Sequence, residues 1–258
     1  MDNKKAKKRK EGPQRKPFFT AVKSFLRIFK RKPKIVNLND EPLADTAIYT
    51  TNHEAAKGPL IYELYFPKNF RFWGTHEMTA DYKTRYKYLS TTYLNEKKHI
   101  PKWLSKILAV IIEPFVHAFY KGIQLIPTYR DTRLFKTFKT TFNELDNGTS
   151  ILIFPENSSD GYHQELTEYY AGFVTLAKQY YKTRKKNLKI YNMYYCKSNN
   201  TIVIDKAIDI KELLDQGKSD KEIAEEFRVR ANELYHTYKE LPKSKRKEKK
   251  EKLTSAKI

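Results

Sequence analysis

The chain has 258 residues, 40% of them hydrophobic, a single cysteine and a formal net charge of +21. That length suffices for one sizeable α/β domain or two small ones, and one cysteine, Cys196, excludes a disulfide framework and a cysteine-rich zinc site. The charge sits at the ends: residues 1–34 carry a net +12 and residues 243–252 a net +5, leaving +4 for a nearly balanced body, and such ends attract phosphate, of anionic lipid or of nucleic acid.

Taken in chain order, residues 17–32 come first. Phe18, Val22, Phe25, Leu26 and Phe29 recur at helical spacing with Lys23, Arg27, Lys30 and Arg31 between them. A basic amphipathic helix of this kind either lies on an anionic membrane surface or packs on the body through the same Phe stripe. Residues 46–51 (TAIYTT) and 70–74 (FRFWG) read as strands, and residues 83–95 are ambiguous between helix and strand. Residues 100–120 read as a helix. Its apolar stretch 103–120 is interrupted by Lys106, Glu113, Pro114 and His117. It falls short of the ~18 uninterrupted apolar residues of a membrane span. It predicts a buried or membrane-contacting helix kinked near Pro114, with Glu113 and His117 paired. Residues 122–128 predict a strand, 132–145 a helix stopped at Gly148, and 150–156 (SILIFPE) a buried strand. A helix over 166–182, strands over 188–195 and 201–208, and an amphipathic helix over 221–238 complete the chain. Alternating strands and helices predict an α/β layer structure. No interior linker appears, so one domain over 35–242 is expected between a basic tail, 1–34, and a second, 243–258. The basic start lacks the apolar core of a secretory signal, and the expected location is cytoplasmic.

Candidate chemistry lies where strands end. His53 and His76 each follow a strand and precede a turn, where catalytic groups are often held. "HEAAK" fails as the zinc motif H-E-x-x-H because Lys57 stands in the second ligand position, and no metal site is expected. There is no G-x-S-x-G, no Walker loop and no G-x-G-x-x-G. What remains is a spaced constellation: "NHEAAKGP" from Asn52, "GIQLIPTYRDTR" from Gly122, and "ILIFPENSSDG" from Ile151. A histidine, an arginine pair and Glu156 at strand ends can converge on one sheet edge, where open α/β folds bind ligands. Arginine suits phosphate through its planar fork. Histidine suits proton abstraction from a hydroxyl near neutral pH.

In order and spacing these pieces resemble the lysophospholipid (1-acylglycerol-3-phosphate) acyltransferase family, often called PlsC-like. Asn52, His53 and Pro59 fit its N-H-x4-D block. Gly122, Ile126, Pro127 and Arg130 fit its G-x-I-P-x-x-R block. Phe154, Pro155 and Glu156 fit F-P-E-G-T-R, and residues 190–195 look like its fourth, apolar block without the proline. The resemblance spans about residues 47–208. Two departures stand out. Gly58 replaces the dyad aspartate, and Asn157, Ser158 and Ser159 replace Gly-Thr-Arg.

The resemblance implies a glycerol-3-phosphate acyltransferase-like central sheet flanked by helices. It implies transfer of a fatty acyl group from acyl-CoA or acyl-acyl carrier protein, as co-substrate, to a lysophospholipid hydroxyl. No other cofactor is implied. His53 would be general base, and Arg130, Arg133, Glu156 and Asn52 would hold the acceptor. With Gly58 unable to orient the imidazole, the carboxylates in reach by sequence are Glu77, Glu63 and Asp81. The expected partners are the lysophospholipid, the acyl donor and an anionic membrane surface met through the basic ends, at the inner face of the membrane. Two other readings remain: a catalytically impaired lipid-binding relative, and a nucleic-acid-binding protein, for which the near-neutral body offers no motif.

Overall fold

The computed structural model describes residues 17–129 and 131–241 of the chain, with backbone alone at Pro17 and Phe18. The elements run α1 (Pro17–Phe29), β1 (Lys34–Asn37), β2 (Ala47–Thr50), α2 (Lys57–Tyr65), β3 (Phe70–Thr75) and a 3-10 turn (His76–Met78). There follow α3 (Tyr82–Lys87), a π-helical stretch (Tyr88–Glu96), α4 (Lys102–Ile123), β4 (Ile126–Thr128), α5 (Leu134–Asp146) and β5 (Ser150–Ile153). The chain continues through α6 (Gly172–Arg184), β6 (Lys189–Cys196), β7 (Thr201–Ile204), β8 (Ile208–Asp209), α7 (Ile210–Asp215) and α8 (Asp220–Tyr238).

Eight strands form one sheet in the order β1-β7-β6-β2-β5-β3-β4, with β8 paired to β6 beside β7. Strands β6, β2, β5, β3 and β4 run parallel, so their carboxyl ends share one edge. The strands are short and apolar because both faces are covered. Alternation within them divides the core in two. Ile48, Ile151, Ile153, Ile190 and Tyr194 face α5, α6 and α8. Tyr49, Leu152, Tyr191, Met193 and Tyr195 face the other way, where α1, α2 and the end of α4 pack.

The fold class read from the sequence holds, with four local differences. Residues 83–95 form α3 and the π stretch, a wide-turn geometry that no propensity signals. Helix α4 runs unbroken through Pro114 for 22 residues, and by length and composition it could cross a membrane. Glu113 pairs with Arg85, at 2.6 Å, and not with His117. Residues 166–171 are not helical, because Tyr169 bridges back to Glu156.

The amphipathic N-terminal helix divides its apolar residues between two environments. Phe19 is buried against Phe119 and Gly122 of α4. Lys23 bonds Glu63 at 2.8 Å and the Arg27 guanidinium donates to the Leu64 carbonyl. Phe25, Ile28 and Phe29 face outward.

Candidate functional site

The register of the parallel strands builds the site. Thr50 pairs with Ile153, so three residues further on His53 and Glu156 are level. Glu156 is buried and its Oε2 accepts the His53 backbone N–H at 2.8 Å. The constellation expected from the sequence is thus half assembled: His53 and Glu156 meet at the carboxyl edge, through backbone and not through the imidazole.

The turn after His53 is unusual. Glu54 and Ala55 both have left-handed backbone, φ +47° and +52°, a conformation that costs side chains other than glycine and clusters at functional sites. Glu54 is buried and held by Lys197 at 3.3 Å. This tight turn brings the chain back so that α2 starts beneath it, with Pro59 in its first turn, where a missing N–H costs nothing. A Cβ placed on Gly58 would overlap the His53 carbonyl oxygen. Glycine is therefore required here by close backbone approach, and an aspartate does not fit this turn.

The imidazole itself is enclosed. Its ring stacks on Tyr162, with centroids 4.9 Å apart, and leans on Phe154 at 4.7 Å. Buried Nδ1 has no hydrogen-bond partner. Burial, with the charge of Lys97 as a smaller contribution, lowers the His53 pKa to about 4, so the ring is neutral at pH 7. Burial also raises Glu156 to about 7, against the backbone N–H of His53, which favours its anion.

The acids considered as orienters lie elsewhere. Glu63, on α2, faces α1 and Lys23. Glu77 accepts from Thr75 Oγ1 and meets His76 Nδ1 at 3.1 Å. β3 lies two strands from β2, roughly 10 Å at ~4.8 Å per strand. Asp81 caps α3 by accepting from Thr84. Asn52 is fully buried, and its amide bridges to the Tyr195 backbone in both directions, 2.7 and 3.2 Å, fastening the end of β2 to β6. It positions His53 and does not face a ligand. Arg133 is exposed, paired with Asp131 at 2.7 Å and laid over Tyr129. It follows β4, three strands from β2. Arg130 lies outside the described residues.

Three residues at the imidazole carried no sequence signal: Tyr162, Ser158 and Lys97. Lys97, just past the π stretch, bonds Ser158 Oγ at 3.1 Å and sits 5.2 Å from the Tyr162 ring centre. Each arrives from a loop whose path depends on the packed fold, so spacing in the sequence could not group them. A neutral imidazole, a half-protonated carboxyl and an ammonium beside them form a site suited to proton transfer next to an anionic group.

The fold and this edge define the class: an α/β domain of the acyltransferase type, with its site at the carboxyl ends of parallel strands. No family model matches the chain, and no curated protein matches it. Among solved structures it is similar to the crystal structure of the 1-acyl-sn-glycerophosphate (LPA) acyltransferase PlsC from Thermotoga maritima. The TM-score is 0.50 and the identity 13%, over 86% of this chain and 80% of that one. At that identity the likeness is one of fold.

Proposed function

We propose that this chain is an O-acyltransferase that moves a fatty acyl group from acyl-CoA or acyl-acyl carrier protein to a lysophospholipid hydroxyl. The observation that carries the reading is His53: a neutral imidazole at the carboxyl edge of a PlsC-like sheet, its backbone fastened to Glu156. In the proposed step the imidazole takes the acceptor's hydroxyl proton as the oxygen attacks the thioester carbonyl. The C–S bond then breaks, and the proton goes to the leaving thiolate. Lys97, and Arg130 by the resemblance, would hold the acceptor's phosphate. Tyr162 must swing off the ring for the acceptor to enter, and re-wetting would raise the imidazole toward its ordinary basicity. The donor is a co-substrate, and the scheme calls for no resident cofactor. The basic ends would keep the enzyme at the inner face of an anionic membrane.

One observation favours a second reading. His53 Nδ1 has no carboxylate to fix its tautomer or stabilise its cation, and Gly58 leaves no room for one. That fits a relative which binds lipid with little or no transfer. The test is acyl transfer from labelled acyl-CoA and acyl-acyl carrier protein to a panel of lysophospholipids, wild type against His53→Ala. A loss of about 10²–10⁴-fold in the variant supports the enzyme. Transfer no greater than in the variant, from folded protein that still binds the lysolipid, establishes the second reading.

A further inference from the structure

Helix α4 presents an apolar face that nothing in the described structure covers. Trp103, Ile107, Val110, Ile111 and Phe115 are each more than half exposed, Phe115 at 74% and Trp103 at 67%. Their spacing puts them on one stripe. The opposite stripe, Ser105, Ala109 and Glu113, is buried. Glu113 there holds Arg85, with 8% and 5% of the two side chains exposed. A helix tied down in this way cannot cross a bilayer alone, because doing so would bare a buried ion pair to lipid. It can lie along one.

The charge pattern says on what. Lys102 and Lys106 are exposed at one end of the face and Lys121 at the other. Between them every exposed position, from Ile107 through Pro114 to Ala118, is uncharged. An apolar middle with a lysine at each end, and a tryptophan near one of them, is the pattern of a helix lying at the boundary of headgroups and acyl chains. We propose that α4 is the element by which this domain beds into an anionic bilayer, lengthwise, with Trp103 to Phe115 among the acyl chains and Lys102, Lys106 and Lys121 at the lipid phosphates. A second copy fits less well. Packed antiparallel, the lysines of one end meet Lys121 of the other copy; packed parallel, each meets itself. Lys97, five residues before α4, rests on the ring that covers His53, so a bilayer on α4 lies next to the covered site. The inference shares with the proposed function only the choice of a lipid partner.

Fluorescence of the full chain with vesicles of phosphatidylglycerol and phosphatidylcholine tests it. The two tryptophans separate cleanly, since Trp73 is buried with its indole on Thr141 and Trp103 is exposed. The expected result is a blue shift of Trp103 emission with quenching by brominated acyl chains. Ile111→Glu, a surface change that keeps every basic residue, should weaken binding roughly tenfold or more, the scale of placing one carboxylate among acyl chains. Acyl transfer is measured separately on dispersed short-chain lysolipid, so loss of either property leaves the other readable. Unmoved Trp103 emission, or Ile111→Glu binding like wild type, overturns the proposal in favour of the basic ends. A vesicle-free dimer that Ile111→Glu dissolves overturns it in favour of a second copy.

Discussion

His53 and Glu156 depart from ordinary acidity in opposite senses, and their neighbourhood makes that measurable. Folded His53 titrates at about 4 against an ordinary 6.5, so between those values the unfolded chain binds the extra proton. Its contribution to stability is therefore full above pH 6.5 and lost as pH falls toward 4. Glu156 titrates at about 7 against 4.5. Its folded form holds the extra proton, and its contribution is full below pH 4.5 and lost as pH rises toward 7. Each slope is about 1.4 kcal/mol per pH unit, and they cancel over most of the range. The expected outcome is two variants that diverge from wild type in opposite directions between pH 4.5 and 6.5. His53→Gln should lose stability with rising pH, and Glu156→Gln should gain it. Denaturant unfolding across that range checks this, and parallel profiles for all three proteins would show that neither group is perturbed.

Gly58 gives a second residue-scale prediction. Gly58→Asp restores the family's acid on paper. An aspartate in the first turn of α2 gains about 0.3–1 kcal/mol from the helix dipole, but overlap with the His53 carbonyl oxygen costs about 1–3 kcal/mol. The clash wins. The variant should melt several degrees lower, at roughly 2–4 °C per kcal/mol for a domain this size, and its transfer rate should not rise. A variant as stable as wild type and more active would mean that the turn can relax to accept the acid.

At the scale of elements, α4 is held by one buried stripe. Removing a single partner of a buried pair leaves the other charged and unpaired, at about 3–5 kcal/mol. Glu113→Ala should therefore destabilise the domain strongly, while Arg85→Met with Glu113→Leu together should recover most of the loss. Melting temperatures of the three variants decide it; a double variant as unstable as Glu113→Ala would mean that packing around the π stretch, and not the ion pair, fixes α4. The same element shows why sequence reading mixed two roles. Residues 103–120 look uniformly apolar, and Lys106, Glu113 and Pro114 look like interruptions. On the helix, Lys106 and Pro114 fall on the outer face and Glu113 on the inner. The charge that argued against membrane contact is the one pointed away from it.

For the whole molecule, the basic ends and the apolar α4 face act on different steps. Long-range charge raises encounter rates and is screened by salt, whereas apolar burial is not. Removing residues 1–16 and 243–258 should slow vesicle association on the order of tenfold at low salt, while leaving the Trp103 blue shift of the bound state unchanged. Stopped-flow mixing at two salt concentrations measures it; loss of the blue shift in the shortened chain would mean that the ends are needed for insertion itself.

The sequence by itself determined the α/β class, the buried strand at Ser150–Ile153 and the pairing of His53 with Glu156 at strand ends, because apolar alternation and the motif spacing are local. It also showed that the dyad aspartate is absent. It could not say that glycine is sterically demanded at Gly58, since that depends on where the His53 carbonyl returns after two left-handed residues. Nor could it separate Glu63 and Glu77 from the imidazole, or bring Lys97 and Tyr162 to it. Those distances are set by strand order and by the paths of loops between packed elements. Neighbours within one strand are encoded a few residues apart; neighbours across this edge come from segments up to a hundred residues apart, and only the closed sheet brings them together.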